Sequence, residues 1–222
     1  NPSDPTEQPG ESGTDTETTP EEATPAYEVG YYNLSDADSL LYARVWKDTS
    51  TLLSSLAHDH VLRAAEWNGT IVYNPGDLSQ CSITFTLPVA EMRNDEPAMR
   101  ELVGLGGPIP DSDRTEIHDH MLSESQLNAD VYSTIEFAST SCRGDGGLVG
   151  QIEVAGNITI RGVTKPMTIM VEFQVSGRQV YATGEFEFTH ADFDFEPFSS
   201  LGGALKNSER LFMAFDVVGN SN

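Results

Sequence analysis

Apolar and polar residues alternate with a period of two through most of the chain from residue 38 onward. In the segment "GGLVGQIEVAGNITI", Leu148, Ile152, Val154, Ile158 and Ile160 share one phase, and polar residues occupy much of the other. Because successive side chains of a β-strand point to opposite faces, this pattern predicts strands with one buried face. One-sided strands in a single domain must pack as a sandwich or close into a barrel.

Seven other segments repeat this alternation, so the sequence predicts eight strands and an all-β fold. An eight-stranded barrel leaves an interior that can hold one small apolar ligand. Small residues fall on the inward phase at Gly150, Gly156, Ala182 and Gly184. This pattern fits either a ligand in the interior or tightly coiled strands without a cavity. The seven segments are "SLLYARVW", "EWNGTIVY", "CSITFTL", "STIEFAS", "MTIMVEFQV", "VYATGEFEFTH" and "LFMAFDV".

Two segments between the third and fourth predicted strands break the alternation, and we interpret both as short helices. They are "VAEMRNDEPAMRELVGL" and "DSDRTEIHDHMLSESQLNAD". In the second, Ile117, Met121 and Leu122 recur at helical spacing.

The first 30 residues are predicted to form a disordered tail or tether that is rich in acidic residues, proline and threonine. Residues 1–28 contain eight acidic residues, no basic residue and five prolines. Such a segment has too little apolar surface to offset the entropy lost on ordering. The domain proper is therefore expected at residues 31–222.

Net charge restricts the partners of this chain. The whole chain carries −23, and −15 remains on residues 29–222 when the acidic tail is set aside. An acidic body repels nucleic acid and anionic lipid headgroups, so we predict no nucleic-acid partner.

We expect the protein to be exported. The chain starts with Asn rather than Met, so we expect that a leader has been removed. No stretch approaches the 18 or so apolar residues of a membrane span. A polar tail ahead of a β domain is typical of a bacterial protein held at a membrane through a lipidated residue upstream.

Cys81 and Cys142 allow one disulfide in an oxidising compartment. If the third and fourth predicted strands are antiparallel neighbours, these two strand ends lie together. Cys81 shares the phase of Phe85, but Cys142 is out of phase with Phe137, so a bridge needs a bulge in "FASTSC". The sequence leaves a disulfide and two free thiols as open alternatives.

The chain contains, in this order, "HDHVLRAAEWNGTIVYNPGDLSQCSITFTLPVAEM", "DRTEIHDHMLSESQLNADVYSTIEFASTSC", "NITIRGVTKPMTIMVEF" and "HADFDFEPFSSLGGALKNSERLFMAFDV". In content and spacing these segments resemble the YceI-like family of bacterial proteins, over roughly residues 38–219. The chain departs from the family pattern at Ser133, where a proline is usual, and at Asp194, where a glycine is usual.

The resemblance implies an eight-stranded antiparallel, lipocalin-like barrel with the short helices between strands 3 and 4. In the family this barrel encloses an isoprenoid chain or a similar amphipathic lipid, which implies a hydrophobic small molecule as partner and no cofactor. It also implies export to the periplasm or cell envelope and no catalysis. The residues agree, because the chain has no G-x-S-x-G motif and neither cysteine begins a helix beside a base.

A lipid in such a barrel would contact the inward apolar side chains, and polar groups near the mouth, such as His58, His60 and His190, would fix its headgroup. The predicted lipid-binding residues are Trp67, Ile71, Phe85, Ile135, Phe137, Ile158, Ile160, Phe173, Phe186, Phe188 and Phe215.

The histidines also support an alternative function, an envelope protein that binds a metal through His58, His60 and His190. In extended backbone, residues i and i+2 share a face, so His58 and His60 could bind one Zn²⁺ or Cu²⁺. His190 is in phase with the inward Phe188. Against this, Val61 begins the apolar phase of the adjoining strand, which turns His60 outward unless a bulge intervenes.

The second HDH sequence is a weaker candidate. His118 and His120 are about 200° apart on a helix and cannot bind one ion together. We expect His120 to lie near Glu124, four residues further along the helix.

Overall fold

A computed structural model describes residues 27–221, which form twelve strands and two α-helices. Residues 1–26 of the predicted tail lie outside the described residues, and Gly30 already begins the first strand. The strands are β1 (Gly30–Leu34), β2 (Leu40–Lys47), β3 (His60–Ala64), β4 (Asn68–Tyr73), β5 (Ser82–Pro88), β6 (Met92–Asn94), β7 (Thr134–Gly144), β8 (Val149–Ile160), β9 (Val163–Ser176), β10 (Gln179–Thr189), β11 (Ser199–Ser200) and β12 (Leu205–Ser221), and the helices are α1 (Pro97–Leu102) and α2 (Asp111–Leu122).

Eight antiparallel barrel strands run around the domain in chain order. Three of them are interrupted once, so β1 and β2 form the first, β3 and β4 the second, and β5 and β6 the third. The other five are β7, β8, β9, β10 and β12. The last strand closes the barrel by pairing with both parts of the first, as in Tyr32 opposite Ser221 and Val45 opposite Leu211. The predicted eight-stranded antiparallel barrel is confirmed.

Both predicted helices lie between the third and fourth barrel strands, but the first is shorter than expected. The segment "VAEMRNDEPAMRELVGL" contains β6 and only then α1, which begins at Pro97. A proline disfavours helical backbone in the residue before it and suits the first position of a helix. The helix therefore starts at the proline, and the residues ahead of it extend the barrel wall along β3.

One half of the barrel interior is filled by aromatic rings. The rings of Tyr73 and Phe173 lie 5.0 Å apart, centroid to centroid. A Cβ added at Gly156 would collide with the ring of Phe137, and one added at Gly184 would collide with the ring of Phe215. These two glycines give room to neighbouring rings in the wall, so the small residues on the inward phase do not create a cavity at these positions.

A disulfide joins Cys81 to Cys142 at the same end of the barrel, with 6.0 Å between the Cα atoms. The strand register between β7 and β8 shifts between Ser139 and Ser141. This is the irregularity within "FASTSC" that the phases of the two cysteines required. The shift brings Cys142 onto the buried side, where both cysteines belong to the apolar cluster.

We predict that unreduced, denatured protein contains no free thiol. The chain has two cysteines, both are in the disulfide, and both are at most 9% exposed. A thiol-reactive dye applied in denaturant should give no signal before reduction and two thiols per chain after it. Two thiols before reduction would show that the bridge does not form.

Candidate functional site

A cavity of about 160 Å³ occupies the half of the barrel that lies away from the disulfide. Its wall is almost entirely apolar and comes from both early and late barrel strands. This end of the barrel holds the start of β7 and β12 and the end of β5, β8 and β10. The lining residues are Leu41, Tyr42, Ala43, Val45, His60, Leu62, Ala64, Phe85, Leu87, Met92, Ile117, His120, Met121, Gln126, Leu127, Ile135, Ile158, Ile160, Phe188, His190, Phe195, Phe198, Asn207, Leu211 and Met213.

Helix α2 and two loop segments cover the open end of this cavity. Ile117 and Met121 of α2 reach the lining, and the buried amide of Asn94 on β6 donates to the carbonyl oxygen of Arg114 at 2.9 Å, which fixes the helix to the barrel. The side chain of His120 is 49% exposed and also lines the cavity, so the cavity reaches the surface beside α2.

The eleven predicted wall residues divide along the barrel. Five of them line the cavity, namely Phe85, Ile135, Ile158, Ile160 and Phe188. The other six belong to the apolar core or pack against it without lining the cavity, namely Trp67, Ile71, Phe137, Phe173, Phe186 and Phe215. All eleven share the apolar phase of their strands, and that phase cannot distinguish the filled half of the barrel from the open half.

Several lining residues were not among the predicted set. Leu41, Ala43 and Val45 lie on the inward phase of "SLLYARVW", so the alternation in that segment could have identified them. Leu62 and Ala64 escape the prediction for a different reason, because the apolar pattern indicates Val61 as the inward residue of its strand.

The orientation of β3 corrects that expectation. His60 stands opposite the inward Val45, so His60, Leu62 and Ala64 face the cavity without any bulge. Val61 is completely buried, but on the outer side of the barrel, where α1 packs on β3. A strand that is covered on both faces does not show which face is inward by its apolar phase alone.

His60 is hydrogen-bonded to a buried network of charged groups. Its Nδ1 lies 2.7 Å from Oδ2 of Asp95, a residue with no exposed surface. The other carboxylate oxygen of Asp95 accepts from the Arg100 guanidinium at 2.7 Å and from the backbone N–H of Val61 at 3.2 Å. Burial opposes ionisation of Asp95, but the hydrogen bond and electrostatic attraction of His60, with the hydrogen bonds from Arg100 and Val61, outweigh it and lower the pKa of this carboxyl group.

Arg100 connects this network to the surrounding loops. Its guanidinium donates to the carbonyl oxygens of Asp59 at 2.8 Å, Leu105 at 2.8 Å and Gly107 at 3.0 Å. The side chain is 5% exposed, and with the bond to Asp95 it makes four hydrogen bonds to the protein. The network therefore joins α1, the loop after it and the start of β3 into one unit.

His190 reaches the cavity from the end of β10. It is 3% exposed, and its Nδ1 lies 2.9 Å from the carbonyl oxygen of Glu209. Its ring packs edge-on against Phe195. Burial lowers the pKa of this imidazole, so the ring is held in its neutral form near pH 7. The left-handed backbone of Asp194 ends the short helical turn that carries His190, and this conformation explains why a glycine is usual there.

The metal site proposed from the sequence does not assemble. His58 is exposed and does not line the cavity, whereas His60 and His190 do. Within residues 27–221, no group of three or more His, Cys, Asp or Glu side chains is placed to hold a metal ion. His120 is the third histidine at the cavity, and its Nε2 lies 3.6 Å from Glu116 on the preceding turn rather than near Glu124.

None of the helices formed by the described residues has the length and apolar character needed to cross a membrane.

Comparison with known families gives one match that covers most of the domain. A family model described as the YceI-like domain matches residues 47–218. Among curated proteins, a UPF0312 protein of Vibrio cholerae is 28% identical over 116 residues, which are 52% of this chain and 51% of that protein. A UPF0312 protein of Shewanella oneidensis is 32% identical over 102 residues, 43% of this chain and 52% of that protein. The chain thus matches about half the length of these curated relatives.

Solved structures share the fold at low sequence identity. BcnA of Burkholderia cenocepacia superposes with a TM-score of 0.61 at 15% identity and covers 83% of this chain and 98% of its own. A polyisoprenoid binding domain from Saccharophagus degradans gives 0.56 at 11% identity, over 88% of this chain and all of that one. The YCEI protein of Campylobacter jejuni gives 0.54 at 13% identity, over 72% and 84%. These likenesses support the barrel fold.

Proposed function

Because the chain belongs to the family of YceI-like domains, we propose that it binds a long-chain isoprenoid or a similar amphipathic lipid in the cavity of its barrel. The apolar lining of that cavity is the observation that carries the proposal. One structural neighbour is described as a polyisoprenoid binding domain, and that description agrees with the chemistry of this lining.

The driving force for binding would be burial of the lipid chain, at about 25 cal/mol per Å² of apolar surface. A cavity of about 150 Å³ lined by apolar side chains accommodates benzene, and the cavity here is of similar size at about 160 Å³. It would therefore enclose a segment of a long chain, and the remainder would leave beside α2, where His120 is exposed.

We further propose a carrier rather than an enzyme. The polar side chains lining the cavity in the described part of the chain are Tyr42, three histidines, Gln126 and Asn207. A lining of this kind offers no serine, cysteine, lysine or carboxylate that would act as a nucleophile. Export to the periplasm or envelope, with the acidic tail as a tether, remains part of this proposal.

Lipid should raise the melting temperature of the delipidated protein. A ligand that binds only the folded state adds RT ln(1 + [L]/Kd), or about 2.7 kcal/mol at 100 times Kd. For a domain of this size that gain corresponds to roughly 5–10 °C. The measurement is thermal unfolding of the full chain with prenols and n-alkanols of increasing length, after organic extraction.

Mass spectrometry of that organic extract identifies what the purified protein carries. A long-chain lipid recovered in near-stoichiometric amount would support the proposal. The proposal would be wrong if the extract contains no lipid and no chain length shifts the melting temperature of the emptied protein.

A further inference from the structure

Two imidazole rings in the cavity wall carry a proton on Nδ1. Nδ1 of His190 lies 2.9 Å from the carbonyl oxygen of Glu209. A carbonyl oxygen can only accept a hydrogen bond, so Nδ1 of His190 must carry the proton. Burial lowers the pKa of this ring and keeps it neutral, which leaves Nε2 as an acceptor.

The same reasoning applies to His60. Its Nδ1 lies 2.7 Å from Oδ2 of Asp95, and that carboxylate also accepts from Arg100 and has a lowered pKa. An ionised carboxylate can only accept, so Nδ1 of His60 donates. Nε2 of His60 is therefore the ring nitrogen that does not contact Asp95.

Neither Nε2 atom has a hydrogen-bond partner among residues 27–221, although both rings line the cavity. They approach it from different sides, because β3 and β10 are separated in the sheet by β2 and β12. The row of opposed residues His60, Val45, Leu211 and Phe188 crosses this part of the wall, and His190 follows two residues after Phe188.

The cavity lining is poor in side chains that bind an anion. The lining contains no lysine or arginine from the described chain. The nearest guanidinium in the network, that of Arg100, is directed at Asp95 and three backbone carbonyls. Phosphate recognition in proteins relies on arginine, lysine or clustered N–H groups, so this site suits a neutral headgroup.

We infer that the lipid carries a hydroxyl headgroup, an alcohol or a phenol, whose proton is donated to Nε2 of His190. This inference rests on the proposed lipid-binding function and narrows it to one class of ligand. A ketone or an ether lacks the donor, and a phosphate ester brings an anion into a cavity lined by no lysine or arginine of the described residues. An acceptor left without a donor is penalised on burial, so the site discriminates by headgroup as well as by chain.

Three lipids with the same C20 chain test the inference on the delipidated full chain at pH 8: geranylgeraniol, its methyl ether and its monophosphate. Calorimetric titration should show that the alcohol binds about tenfold more tightly than the ether, as expected for one lost hydrogen bond and one unsatisfied acceptor. The phosphate should bind more weakly than the alcohol.

Asparagine variants separate the role of Nδ1 from the role of Nε2 in each imidazole ring. The amide of His60→Asn or His190→Asn can still donate to the partner of Nδ1 but has no group at the position of Nε2. We expect the alcohol-to-ether ratio to fall to about threefold or less in His190→Asn. His58→Asn is the matched control, because His58 is exposed beside His60 and does not line the cavity, and it should keep the wild-type ratio.

Several outcomes would overturn the hydroxyl assignment alone: equal binding of alcohol and ether, tightest binding of the phosphate, or an unchanged ratio in His190→Asn. Binding of none of the three lipids would instead contradict the lipid-binding proposal as well. Thermal unfolding of each variant without lipid verifies that it is folded before its binding is compared.

Discussion

Replacing Asp95 with alanine is expected to destabilise the barrel by about 3–5 kcal/mol, because it leaves the buried charge of Arg100 without its partner. Asp95 has no exposed surface, and Arg100 lies 2.7 Å from it with 5% of its side chain exposed. The substitution also removes the acceptor for His60 and for the backbone N–H of Val61. Urea unfolding of the variant and the wild type at pH 7 gives the difference in free energy.

Two other substitutions control for the further changes that Asp95→Ala introduces. Glu96→Ala removes the next carboxylate, which pairs with Arg63 where both side chains are about 30% exposed, and should cost about 1 kcal/mol or less. Asp194→Ala tests the cost of alanine in left-handed backbone, because Asp194 has a φ of 57° and Asp95 one of 51°. A loss for Asp95→Ala no larger than these two would show that the buried network contributes little.

The difference in the free energy of unfolding between the wild type and Asp95→Ala should decrease as the solution becomes acidic. The pKa of Asp95 is lower in the folded protein than the ordinary value of about 3.9 for an unfolded chain. The contribution of Asp95 to the stability of the fold is therefore fully present above pH 4, and it is lost as the pH falls through the pKa that Asp95 has in the folded protein. Urea unfolding of both proteins should show that the difference shrinks as the pH falls below 4.

The alternation of residues was sufficient to predict the eight barrel strands, because most of them have one solvated face. Residues 145–221 follow this rule closely, as in β8, where the inward Ile152, Val154 and Ile158 are buried between polar neighbours. The rule fails at β3, where α1 and the Asp95–Arg100 pair cover the outer face and bury Val61 there. Period-two analysis assumes that only one face is buried, so it assigned His60 to the wrong side.

The cavity was harder to predict than the barrel for a related reason. Alternation identifies inward residues but not their depth along the barrel axis, so Phe173 in the filled half and Phe188 at the cavity look alike in sequence. Depth depends on strand register, on the ring positions over Gly156 and Gly184, and on where α2 lies. His120 was missed as a lining residue because the placement of its helix across the barrel opening is a tertiary feature.

Filling the cavity is expected to abolish lipid binding without unfolding the protein. Ala43 is 6% exposed, lines the cavity and stands between Leu62 and Met213 on the neighbouring strands. Ala43→Phe adds one phenyl ring, and a cavity of about 150 Å³ can hold a ring of that size, compared with about 160 Å³ here. Overpacking should therefore change stability in the absence of lipid by no more than about 1–3 kcal/mol.

The decisive measurement is the response of Ala43→Phe to lipid, compared with that of Ala138→Phe. Ala138 is exposed on β7, so its substitution adds the same ring outside the barrel. Under conditions in which lipid stabilises the wild type by about 2.7 kcal/mol, Ala138→Phe should gain the same amount and Ala43→Phe should gain nothing. That loss corresponds to a decrease in affinity of at least about 100-fold, since binding at 100 times Kd must become undetectable. If Ala43→Phe remains folded and still responds like the wild type, the lipid binds elsewhere on the protein, because the ring and the chain cannot occupy the same space.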